Sequence, residues 1–62
     1  MKFWIAREIE GCLFAFTHKP RYNKENPMWE YKKGNTFYLD ETLFPEVTFE
    51  NSPQQVEIKL VK

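Results

Sequence analysis

Lys2-Phe3-Trp4-Ile5-Ala6-Arg7-Glu8, Ile9-Glu10-Gly11 and Cys12-Leu13-Phe14-Ala15-Phe16 read together as a β-hairpin with apolar side chains on both faces. Alternate residues of a strand point to opposite faces, so such a pair has to be covered twice. Its turn decides which side chains share a face. Gly11 tolerates positive φ, whereas Glu10 suits the left-handed conformation poorly, so a three-residue loop with a glycine bulge is expected over a two-residue type I′ turn. That loop pairs Glu8 with Cys12, Ala6 with Phe14 and Trp4 with Phe16 on one face. Phe3, Ile5, Arg7, Leu13, Ala15 and Thr17 fall on the other. The first face carries the bulkier aromatics and is expected to hold the main core; a two-residue turn would slip the strands by one and turn Trp4 away from Phe16.

A chain of 62 residues is close to the lower limit of independent folding and points to one domain spanning 1–62. Six Phe, three Tyr and two Trp offset the small size. Each can bury roughly 150–250 Å², and a body this small cannot hide them all, so a cluster left on the surface marks a contact site. Cys12 is the single cysteine, which rules out an intramolecular disulfide and fits a reducing compartment. The start of the chain lacks the pattern of a secretory signal, and the longest apolar run, Cys12 to Phe16, is far shorter than the roughly 20 residues that span a bilayer. The expectation is a soluble cytoplasmic protein that does not enter the membrane.

Beyond Thr17, His18-Lys19-Pro20 and the polar run from Arg21 to Pro27 read as an exposed loop. Met28-Trp29-Glu30-Tyr31 and Thr36-Phe37-Tyr38-Leu39, joined through Lys32-Lys33-Gly34-Asn35, read as a second hairpin. Asp40 can cap a short helical turn over 40–44, 3₁₀ in form or absent, which Pro45 would end. Glu46 to Glu50 alternates with Val47 and Phe49 inward, Asn51-Ser52-Pro53 makes a turn, and Val56, Ile58 and Leu60 line the inner face of a last strand. The fold class is therefore all-β: a small antiparallel meander of five or six strands curled into a barrel or roll.

Chemistry is sparse. Cys12 and His18 are six extended residues apart, roughly 20 Å at about 3.3 Å per residue, too far for a catalytic pair and too few for a zinc site. Asp40-Glu41 is explained by capping, and Glu46, Glu50 and Glu57 fall at solvent-facing positions; no glycine-rich phosphate loop exists. No catalytic, metal or cofactor residues are assigned, and no enzyme is expected. Nine basic and nine acidic residues balance, but unevenly along the chain. Lys19, Arg21, Lys24, Lys32 and Lys33 are concentrated in 17–33, whereas Asp40, Glu41, Glu46, Glu50 and Glu57 occupy 34–58 without a cation. Mutual neutralisation of neighbouring loops is the favoured explanation and a steering patch the alternative. The cations alternate with Tyr22, Trp29 and Tyr31, the mixture that stacks bases and follows a phosphate backbone. The competing reading makes Trp29 and Tyr31 core residues and the lysines an edge-strand device.

Phe3-Trp4-Ile5-Ala6-Arg7, Gly11 with Leu13 and Phe16, Lys19-Pro20, Trp29 and Leu43-Phe44-Pro45-Glu46-Val47 resemble a loose group of short uncharacterised proteins from intestinal anaerobic bacteria and their phages. The likeness covers most of the chain and consists of structural residues, so it implies a shared fold and carries no site or activity. The functional expectation is a non-enzymatic interaction module acting through an aromatic patch or strand edge, with a protein partner or a second copy as homodimer. The alternative is a single-stranded nucleic-acid binder using Lys19, Arg21, Tyr22, Lys24, Trp29, Tyr31, Lys32 and Lys33.

Overall fold

The computed structural model describes residues 1–61 and contains six strands: β1 (Lys2–Arg7), β2 (Leu13–Phe16), β3 (Arg21–Asn23), β4 (Met28–Glu30), β5 (Thr36–Leu39) and β6 (Gln54–Glu57). All pairings are antiparallel, in a four-stranded sheet ordered β5-β2-β1-β6 and a two-stranded sheet β3-β4. The fold is all-β. The larger sheet stays open, with β5 and β6 as its edges. Among the described residues no helix is long and apolar enough to cross a membrane.

The first hairpin has the expected register. Gly11 N–H donates to Glu8 carbonyl at 2.9 Å and Glu8 N–H to Cys12 carbonyl at 2.8 Å, with Gly11 at φ 105°, and Trp4 faces Phe16 and Ala6 faces Phe14. The expectation about its faces is corrected. The core cluster is Ile5, Leu13, Ala15 and Val47 with Leu39 and Val56 against it, on the face opposite Trp4. Ile5 and Leu13 are the large side chains buried most completely, each contributing roughly 1.5–3 kcal/mol. On the Trp4 face Ala6 and Phe16 are also buried, but Trp4 and Phe14 are only half covered. The β3-β4 hairpin that lies there has three residues per strand, too few to enclose rings of that size.

Two further expectations change. The strand Met28–Glu30 pairs with Arg21–Asn23, in the stretch read as an exposed loop, while Thr36–Leu39 joins the first hairpin beside β2. Asn23 explains the difference: its Oδ1 accepts from Glu25 N–H at 2.9 Å and Asn26 N–H at 3.2 Å, closing the four residues from Lys24 to Pro27 as a hairpin turn. Segment 46–50 is not a strand. Thr48 N–H donates to Asn51 Oδ1, Asn51 N–H to Thr48 Oγ1, and Asn51 Nδ2 to Glu46 carbonyl, so local side-chain bonds take the backbone groups a strand would need. Val47 then enters the core while Phe49 leaves it for Tyr22 and Trp29. At 40–44 there is a turn and no helix; Asp40 Oδ1 accepts from Thr42 N–H and Oγ1–H, which holds its carboxyl below the ordinary carboxylate range.

Residues 40–53 supply the second cover, and Arg7 fastens them. Its Nε donates to Val47 carbonyl, Nη1 to Gly11 and Glu41 carbonyls at 2.7 and 3.0 Å, and Nη2 to Leu43 and Phe44 carbonyls at 2.9 and 3.0 Å. Phe44, before Pro45, sits at φ 49°, a conformation costly for a bulky residue, and its carbonyl is one of those held.

Candidate functional site

Two surfaces stand out on opposite sides of the larger sheet. One is the part of the core face that 40–53 leaves uncovered. Phe3, Ile5, Ala15, Phe37, Val56 and Ile58, with Leu39 and Phe44, line a groove of about 220 Å³ without a polar side chain. Phe37 is 49% and Ile58 59% exposed, and Leu60 and Val61 beyond it are almost fully so. The strand expected to carry Val56, Ile58 and Leu60 on one inner face ends at Glu57; Val56 and Ile58 do line this face, Leu60 lies outside the groove lining, and the face they line is only partly covered.

The other surface lies on the β3-β4 side. Lys19, Arg21, Tyr22, Lys24, Lys32 and Lys33 line one open groove of about 650 Å³. The structure thus brings together all five cations singled out in the sequence and one of the three aromatics. Trp29 and Tyr31 are outside the lining. Tyr31 packs on Phe16 with ring centroids 5.8 Å apart. Trp29 meets Tyr22 at 5.3 Å and Phe49 at 6.4 Å, while Tyr22 and Phe49 are 5.1 Å apart, a three-ring cluster of edge contacts that ties the cover of one sheet face to the cover of the other. The indole Nε1–H of Trp29 also donates to Arg7 carbonyl at 3.1 Å. Trp29→Phe keeps most of the ring area and leaves that carbonyl unpaired, so unfolding in urea is expected to show a loss of about 1–2 kcal/mol; an unchanged midpoint would remove the bond from the account.

Phe49 and Asn23, which shape this side, were missed in the sequence as contributors. Asn23 carried a readable turn signal ahead of Pro27, but Phe49 reaches its partners only because Thr48 and Asn51 break the strand pattern.

Titratable groups elsewhere form no comparable constellation. Cys12 Sγ accepts from Tyr38 Oη–H at 3.7 Å, and that bond raises the Tyr38 pKa above its ordinary value. His18 Nδ1 is 3.1 Å from Thr17 Oγ1, at the other end of β2 from Cys12. Among the described residues no three His, Cys, Asp or Glu side chains are grouped as a metal site. Comparison with known protein families, curated proteins and solved structures finds no match for this chain.

Proposed function

We propose that this protein is a non-enzymatic interaction module that works by self-association, two copies closing their apolar grooves on each other. The observation that carries this reading is the incomplete second cover: residues 40–53 bury Leu13 and Val47 but leave Phe37, Phe44 and Ile58 at the surface around a wholly apolar groove. A partner chosen by charge finds nothing to pair with in that lining. A second copy offers the same apolar chemistry, and a two-fold axis makes one patch complementary to itself. Taking about 200 Å² for a fully exposed large side chain, Phe37, Phe44, Ile58 and Leu60 offer roughly 400–500 Å² per copy. Two copies together bury roughly 800–1,000 Å², short of the roughly 1,200 Å² at which stable specific interfaces begin and in the range of weak, transient ones, so the dimer is weak and concentration-dependent. Cytoplasmic residence belongs to the same reading, supported by a free Cys12 with no other cysteine to oxidise it intramolecularly.

Sedimentation equilibrium tests it. The expected result is a monomer–dimer equilibrium in the micromolar range that Phe37→Glu abolishes while leaving thermal unfolding nearly unchanged, because Phe37 is half exposed on an edge strand. A wild-type monomer at high micromolar concentration, or a Phe37→Glu dimer as tight as wild type, overturns it.

A further inference from the structure

We propose that the cationic groove beside the β3-β4 hairpin binds single-stranded nucleic acid, with the phosphates against the lysines and one base on Tyr22. This site is independent of the self-association surface and lies on the other side of the larger sheet. Its cations come from two pieces of chain, Lys19, Arg21 and Lys24 in and around β3, and Lys32 and Lys33 after β4. The antiparallel pairing of β3 with β4 is what gathers them, and no run of sequence does so alone.

Mutual neutralisation, the simpler account of the balanced net charge, lacks its contacts. Among the described residues the only ion pair is Lys59 with Glu57, so none of the five groove cations has a carboxylate within 4.0 Å. The carboxylates of Asp40, Glu41, Glu46, Glu50 and Glu57 stand outside the groove lining, which admits only Glu25 and Glu30. Glu30 Oε2 already accepts from Asn23 Nδ2 at 3.2 Å. The uneven charge of the sequence thus persists in three dimensions and leaves an excess of positive charge in one concavity.

Two features fit a nucleic acid better than other polyanions. Tyr22 is half-buried in the groove and its ring is backed edge-on by Trp29 and Phe49 at 5.3 and 5.1 Å, so it is held in place before any base arrives. A recessed ring can be reached by an unstacked base and not by a base inside a duplex. Lys19 is held over the Trp4 ring, 5.2 Å from its centroid, which fixes one charge at the rim. The lining contains no aliphatic side chain to enter a lipid surface, which membrane-binding patches require. An acidic peptide would match the charge but make no use of Tyr22.

The experiment is a fluorescence titration with single-stranded oligothymidylate at low salt, since Trp4 lies under Lys19 and Trp29 lies behind Tyr22. Quenching is expected, with log affinity falling against log salt at a slope of about −2 to −3.5 for three to five neutralised phosphates. The double variant Lys32→Glu/Lys33→Glu, at two exposed positions, is expected to bind at least tenfold more weakly with a slope shallower by about 1.4. Polyglutamate, matched in charge and lacking bases, is expected to bind far more weakly, and a duplex of the same length to bind without the quenching. Absence of quenching at low salt, equal affinity for polyglutamate, or a double variant that binds like wild type each overturns the proposal.

Discussion

Arg7→Lys is expected to lower the unfolding free energy by about 2–4 kcal/mol, a large part of the roughly 3–9 kcal/mol available to a chain of this size. The guanidinium has five N–H donors in a rigid fork. In this protein they meet five backbone carbonyls, of Gly11, Glu41, Leu43, Phe44 and Val47, and no carboxylate is needed. An ammonium has three donors around a single point and cannot reach acceptors spread over that arc. At least two carbonyls therefore go back to water or stay unpaired, and Phe44 loses the anchor that offsets its left-handed backbone. The effect is tempered because the bonds to Glu41, Leu43 and Phe44 are on the exposed side, where water replaces part of the loss. Urea unfolding gives the magnitude, and amide exchange in 40–47 gives the location. Faster exchange confined to that segment is the expected signature. A second consequence follows from what the segment covers: loosening it uncovers Leu13 and Val47 beside the apolar groove, so this variant should also associate at lower concentration than wild type. An unchanged urea midpoint would sink the fastening role.

How far these features could be read in the sequence differs by residue type. The first hairpin was legible because Gly11 and the alternation of Trp4, Ala6, Phe14 and Phe16 specify turn and register through local geometry. The core face was misjudged because aromatic bulk was taken as a measure of burial, whereas burial depends on the area of the cover. The wider cover, residues 40–53, lies over Ile5, Leu13 and Ala15. Arg7 could not be identified as the fastening, since its acceptors are main-chain carbonyls that every residue carries. The five cations were legible by type and their convergence was not, because that depends on β4 pairing with β3 instead of β5. Both Met28–Glu30 and Thr36–Leu39 were read correctly as strands; what short strands lack is enough local signal to choose a partner. The choice is made by the connection between them.

That connection turns on Gly34, and Gly34→Ala is expected to cost about 2–4 kcal/mol, against about 1–2 kcal/mol for Gly11→Ala. Both glycines have positive φ, 81° and 105°, so each substitution carries the backbone penalty of a left-handed alanine. Their surroundings separate them. A Cβ on Gly11 meets nothing within 4 Å, whereas one on Gly34 would fall 1.9 Å from Thr17 Oγ1 and 2.3 Å from His18 Nδ1. The exposed imidazole can swing away, but Thr17 cannot move freely. Its Oγ1 accepts from Asn35 N–H at 2.9 Å while its own N–H donates to Asn35 carbonyl at 3.0 Å, a two-bond bracket that delivers the chain into β5 beside β2. Rotating Thr17 to admit the methyl breaks one of these bonds, at about 1 kcal/mol. A double-mutant cycle isolates this coupling: in a Thr17→Ala background the clash with Oγ1 is gone, so Gly34→Ala should cost little more than Gly11→Ala does in wild type. Additive costs would mean that the bracket does not constrain Gly34. The same bracket sets the register that pairs Phe37 with Ala15 and so places Phe37 on the apolar groove. Gly34→Ala is therefore expected to weaken self-association through a residue that does not line the interface, an effect Gly11→Ala should not share.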